Sequence, residues 1–199
     1  MKKISKSLLT LVLITILSLN AKAQDNAFEN NSVYISGGYG VGTFTKSLFD
    51  TYSAGTTGYS FSPQGPFFAK IGFSTSDKLE FGFNFAYAGA DIQWDVDQNT
   101  QGNIDWSAWS LMGRLNLHLG NSKKFDPYWG IGFGYRASSW NFSYSDPNYS
   151  ETESIKSAIP LAFETTFGAR YLVTKNIGAY AEVGISKAML QFGLVAKIK

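Results

Sequence analysis

The 199-residue chain has no cysteine and a single histidine. Without cysteine there is no disulfide framework, no thiolate metal site and no lipid-modified N-terminal Cys. With one histidine, His118, acid–base or nucleophilic catalysis lacks its usual parts, and no serine stands in a nucleophile-elbow context. Long apolar runs are nearly absent as well. A helical membrane protein needs several runs of about 20 residues, and only one long apolar stretch exists, at the N-terminus. No segment carries an amphipathic helical period, so no helix is expected.

That one stretch reads as a secretory signal. Lys2, Lys3 and Lys6 form a basic start, Leu8 to Leu19 an apolar core too short to span easily, and Ala21 to Ala23 ("AKA") a small-residue cleavage site. Residues 1–23 are then a signal peptide and 24–199 one domain, with Gln24 first in the mature chain. The precursor's 17 basic and 15 acidic residues give +2. Removing Lys2, Lys3, Lys6 and Lys22 leaves 13 against 15, or −2. The pI of 8.6 belongs to the precursor, and no nucleic-acid partner is expected.

What is present is alternation. In "KLEFGFNFAYAGADI", Lys78 to Ile92, the residues Leu79, Phe81, Phe83, Phe85 and Tyr87 occupy every second position. Period two means a strand with one oily face. The pattern recurs and predicts eight strands: Ser32–Phe44, Pro66–Thr75, Lys78–Ile92, Asp105–Leu117, Pro127–Trp140, Ala158–Leu172, Asn176–Ser186 and Met189–Lys199. Short links alternate with the long polar stretches Thr45–Gln64, Gly89–Ile104 and Asn141–Lys156. The link near "SKAM" is short where a longer one is due. The expected fold is all-β, an eight-stranded antiparallel up-and-down barrel.

The period alone does not say which face is inside. A soluble lipocalin-like binder would turn the oily face inward, a membrane barrel toward lipid. Bulk decides first: an eight-stranded interior holds side chains and little else, and Phe, Trp, Leu and Tyr in strand after strand would overfill it. The opposite face is largely Gly, Ala and Ser with scattered charges, unlike a soluble surface dense in Lys and Glu. Glycine weakens strands. Inside a narrow barrel it makes room for Arg114, Arg136, Arg170 and Tyr180. Trp94, Trp106 and Trp140 near the long-loop ends, with Tyr128, Trp129 and Tyr171 near the short turns, suggest two aromatic belts.

The signal, the strand-by-strand alternation and the last strand "MLQFGLVAKIK" together resemble the eight-stranded outer-membrane β-barrel family, the class of the OmpA transmembrane domain and OmpX. The resemblance covers Gln24 to Lys199. It implies a monomer in the outer membrane of a Gram-negative bacterium, with membrane lipid and the barrel-assembly machinery as partners. It implies no enzyme activity and no cofactor. Such barrels often end on an aromatic residue, and this chain ends on Ile198-Lys199.

The inward charges are the sharpest chemical feature. Lys70, Glu80, Arg114, Arg136, Glu164, Arg170, Glu182 and Lys197 would share the lumen, and unpaired buried charge is very costly. An ion-pair network plugging the lumen is expected, with His118 a member. A gate or narrow porin-like pore is the alternative, and a lipid-modifying barrel enzyme a more distant one. The long loops are acidic: Asp50, Asp91, Asp95, Asp97, Asp105, Asp146, Glu151 and Glu153 face only Lys46 and Lys156. Asp95, Asp97 and Asp105 superficially suggest a calcium loop but lack the sixth-position glycine and the final bidentate acid, so no metal is assigned. "GGYGVG" near Gly37 lies within a strand with no helix expected after it, so it is no phosphate loop. Tyr52, Tyr59, Phe61, Tyr144 and Tyr149 decorate the loops, where an extracellular ligand could be contacted.

Overall fold

A strand whose two faces differ in character needs two environments, and a closed barrel supplies them while pairing its backbone groups. The computed structural model of the protein describes residues 26–53, 55–98, 100–120, 122–146, 154–156 and 159–199. The expected signal peptide, the loop residues Tyr149, Glu151 and Glu153, and the expected strand start at Ala158 lie outside them. The strands are β1 (Val33–Val41), β2 (Ser60–Ser74), β3 (Leu79–Asp95), β4 (Gln101–His118), β5 (Phe125–Tyr144), β6 (Ser154–Lys156), β7 (Leu161–Leu172), β8 (Ile177–Ile185) and β9 (Leu190–Ile198). Each wall strand pairs antiparallel with the next, and β1 closes the wall on β9 from Val33 opposite Ile198 to Val41 opposite Leu190. The result is a closed eight-stranded barrel. The three-residue β6 adds to β5 at Ser139–Asn141, beyond the β5–β7 ladder.

The oily face points outward. Phe81, Phe83, Phe85, Trp109, Leu111, Ile131, Phe133, Phe163, Phe167 and Leu194 are all exposed. Between them Glu80, Asn84, Arg114, Asn116, Glu164, Arg170, Glu182, Gln191 and Lys197 are buried.

Two expectations about the long-loop end are corrected. Gly89–Ile104 is not a loop. The β3–β4 ladder runs unbroken from Leu79 opposite Leu117 to Asp95 opposite Gln101. Likewise β2 starts at Ser60, with a register shift between Gln64 and Phe67. The wall is therefore uneven. β1, β8 and β9 have nine residues each, about what crosses a bilayer, while β3, β4 and β5 have 17, 18 and 20 and project beyond.

The second correction is a helix, α1 (Phe44–Tyr52). Gly42, at φ +74°, turns the chain out of β1 two residues before the expected strand end. Thr43 then caps the helix, its side chain accepting from the Lys46 backbone N–H. Lys46 pairs with Asp50 one turn on, and Phe49 packs on Phe61 and Trp140 at the barrel mouth. Among the described residues no helix is long and apolar enough to cross a membrane.

Candidate functional site: a three-layered lumen

The inward side chains lie in layers, because the inward face changes character along each strand. In the middle lies the charged layer. Arg114 reaches from β4 to β7 and β8, its Nη1 2.8 Å from Glu164 Oε1 and 3.1 Å from Glu182 Oε2. Its Nε donates to Asn116 Oδ1 at 2.7 Å and its Nη2 to Thr166 Oγ1 at 2.8 Å. Every face of the guanidinium fork is thus used. Glu182 also accepts from Tyr128 O–H at 2.7 Å and Thr166 O–H at 3.1 Å, and pairs with Lys70 at 2.8 Å. Asn84 donates to Glu164 at 2.7 Å.

A second group lies nearer the short turns. Arg170 grips Glu80 bidentately at 2.6 and 2.7 Å and stands over the rings of Tyr34 and Tyr128. Asn116 donates to Glu80 at 2.6 Å, linking the two groups. Asp126 lies 3.7 Å from Arg170 and 2.6 Å from His118 Nδ1. Arginine suits such buried pairs because its planar fork satisfies a carboxylate with two bonds. At this level lies a space of about 10 Å³, lined by Tyr34, Lys70, Glu80, Arg114, Arg170 and Glu182.

The glycines opposite these groups have a local cause. A Cβ on Gly132 would lie 2.7 Å from Glu164 Cγ, and one on Gly168 2.7 Å from both Glu182 Cγ and the Tyr128 ring. A Cβ on Gly130 would stand on the Arg114 guanidinium.

Below, at the short-turn end, the segment before β1 folds into the mouth. Phe28 is fully buried and stacks on His118 with ring centroids 3.4 Å apart. With Ala27, Tyr34, Leu172 and Val195 it forms an apolar plug. Polar ties hold it: Ala27 N–H donates to Ser122 O, Tyr34 O–H to Ala27 O, and Lys197 Nζ to Asn26 O at 2.8 Å. Lys197 also pairs with Glu29 at 3.3 Å. Above, at the long-loop end, Ala88, Ala90, Ile92, Ile104, Trp106 and Ala108 make an apolar layer, on which Trp94, Trp140, Phe142, Phe49, Tyr59 and Phe61 pack.

These positions sort the residues singled out in the sequence. Lys70, Glu80, Arg114, Glu164, Arg170 and Glu182 are brought together. Lys197 belongs to the lower plug. Arg136 stands apart, on the inner face yet exposed, with no ion-pair partner among the described residues. Trp94, Trp106 and Trp140 do not form an aromatic belt. They lie on the inner face: Trp106 is buried, Trp94 and Trp140 are partly buried against the same cluster, and the Trp106 and Trp140 rings meet at 5.5 Å with a tilt of 33°. Their parity could have shown this, since Trp94 and Trp106 fall in step with Glu80 and Arg114. Tyr128 is buried too. Trp129 and Tyr171 do face outward. So does a continuous row crossing the strands at the other end, Phe192–Tyr39–Phe67–Tyr87–Trp109. Asp95 and Asp105 sit on β3 and β4, where Asp105 faces Asp91 across the ladder. Asp97 accepts from Thr100 N–H. No group of metal-ligating side chains exists among the described residues. Asp126, Tyr34 and Phe28 are not singled out by the sequence: Asp126 falls just before the strand expected from Pro127, and Phe28 precedes any periodic pattern.

The comparisons bear on this closed wall with its polar interior. The family described as "Outer membrane protein beta-barrel domain" matches residues 9–191. The chain belongs to that family. Among solved structures this outer-membrane barrel resembles Ail, the attachment invasion locus protein of Yersinia pestis, in complex with the heparin analogue sucrose octasulfate. The identity is 13%, covering 85% of this chain and 100% of Ail, with a TM-score of 0.53. It also resembles the outer membrane protein OprG from Pseudomonas aeruginosa at 10% identity, covering 85% and 97%, with a TM-score of 0.50. At these identities the likeness is one of fold. No curated protein matches the sequence.

Proposed function

We propose that this outer-membrane barrel is a sealed, monomeric, non-enzymatic protein that supports the membrane and presents its long-loop end for surface contact. The observation that carries the reading is the charged layer. All eight wall strands contribute, from Tyr34 on β1 to Gln191 on β9, and the space of about 10 Å³ left among them is at most the room of one water. Hydrated ions need a continuous aqueous path, and apolar layers above and below lengthen the barrier. His118, the side chain on which catalysis would depend, is buried beneath Phe28, which supports the non-enzymatic reading. The short, mutually paired β1 and β9 leave no long free sheet edge, in keeping with a monomer that meets lipid and, in transit, the barrel-assembly machinery.

Surface contact would fall to α1 and the projecting hairpin. Phe44, Leu48 and Tyr52, one turn apart, expose an apolar stripe. Ail has been seen in complex with the heparin analogue sucrose octasulfate, and an extracellular ligand at the long-loop end of this barrel is part of the reading. Planar-bilayer recording tests the seal. The purified protein, inserted from neutral detergent, is expected to add no steady conductance. Well-resolved, reproducible single-channel steps would overturn the sealed reading in favour of a narrow pore.

A further inference from the structure

The wall has a notch, and the notch is cationic. The β7–β8 ladder stops at Thr165 opposite Ile185, so Leu161–Glu164 have no partner on that side among the described residues. On the other side the β5–β7 ladder stops at Tyr135 opposite Leu161, and β6 takes over only at Ser139. The short link of residues 186–189 leaves the wall low here. As a result the inner-face side chain of Arg136 is exposed. A cavity of about 190 Å³ opens at this place, lined by the inner-face Trp106 and Met112, the outer-face Leu161 and Phe163, and the cations Arg136 and Lys187.

Its chemistry is one-sided. No carboxylate lines it among the described residues. Lys187 reaches across to the Ala108 carbonyl at 3.4 Å, a weak bond for an ammonium. Lys156 stands beside Arg136 in the adjoining cavity. Phe44 and Thr45, the first turn of α1, also line the space, so a helix N-terminus adds its positive end. The Trp106 indole N–H, buried, has no acceptor among the described residues. Glu164, the acid nearest on β7, is committed to Arg114 and Asn84. Burial and the neighbouring Arg136 lower the Lys187 pKa to about 8.

From this arrangement we propose that the notch is a binding site for an anionic headgroup, phosphate or carboxylate, with an apolar tail able to lie along Leu161 and Phe163. Arg136 provides the bidentate fork and Lys187 the point charge. The volume equals that of about six liquid waters, enough for a tetrahedral anion. A cavity joining the inner and outer faces of the wall admits the headgroup of a membrane amphiphile or a free anion from solution. Binding needs Lys187 charged, so it weakens as pH rises through about 8.

Residue-resolved acetylation tests this. The protein folded in neutral detergent at pH 7 is treated with an acylating reagent, and the rate at each lysine is read by peptide mass spectrometry, with decyl phosphate or inorganic phosphate added. An anion that raises the Lys187 pKa by about one unit leaves about tenfold less free amine. Lys187 acetylation should therefore slow about tenfold, with Lys123 and Lys124 unchanged. Protection by decyl phosphate at far lower concentration than inorganic phosphate identifies a lipid-like source; equal potency identifies a free anion. Arg136→Gln should remove the protection and Arg136→Lys, which keeps the charge without the fork, should weaken it, each checked for folding by its unboiled gel mobility. If neither anion protects Lys187 in the unaltered protein, or if protection survives in folded Arg136→Gln, the site does not exist.

Discussion

Arg170 shows what a single residue does in this lumen. Its fork is closed on both oxygens of Glu80, its faces are covered by Tyr34 and Tyr128, and Asp126 lies just beyond. Removing one member of such a pair leaves the other as an uncompensated buried charge, worth about 3–5 kcal/mol. Arg170→Ala and Glu80→Ala should each lower folding stability by about that amount, seen as an earlier midpoint for urea unfolding from vesicles. The double substitution should cost less than the sum, because each removes the other's orphaned charge. The identities of the inward residues were legible in the sequence by parity alone: Glu80, Arg114, Glu164, Arg170 and Glu182 all interrupt a face of small residues. Their partners were not legible. Glu80 pairs with a residue 90 positions away, and such pairing depends on register across several strands, which a period-two pattern does not carry.

Among the elements, the strands were legible and the pieces packed at the two mouths were not. The segment before β1 has no periodicity, and Phe28 is one aromatic among polar residues, so nothing in its sequence context marks it as core. Its role comes from position: Ser122, Lys197 and Tyr34 hold its backbone over the opening. Phe28→Ala should cost about 3–5 kcal/mol, measured by the same unfolding midpoint, whereas Leu48→Ser on the exposed stripe of α1 should leave it unchanged. Equal effects of the two would contradict the plug. The helix escaped the sequence for a different reason. At nine residues it is shorter than the window in which a helical period stands out, and its stripe is split between the expected first strand, which ends on Phe44, and the polar stretch Thr45–Gln64, which holds Leu48 and Tyr52. Only the far ends of β3 and β4, Gln93–Asp95 and Gln101–Ile104, fall outside the expected strands; there Trp94 and Ile104 continue the inner-face parity among polar neighbours.

For the whole molecule, one pattern of alternation has two consequences. Outward, Phe, Leu and Trp present a continuous apolar surface that only lipid can cover without loss. Inward, closure lets arginine and glutamate neutralise one another out of water. The uneven wall follows from nine-residue strands that just cross a bilayer beside longer ones that project. The measurement that tests this inside–outside assignment most directly uses two variants, each keeping one tryptophan, Trp109 or Trp106, folded into vesicles of lipids with brominated acyl chains. The account predicts strong quenching of Trp109, which faces outward, and bright emission from Trp106, which faces the lumen. Quenching of Trp106 with Trp109 left bright would contradict it.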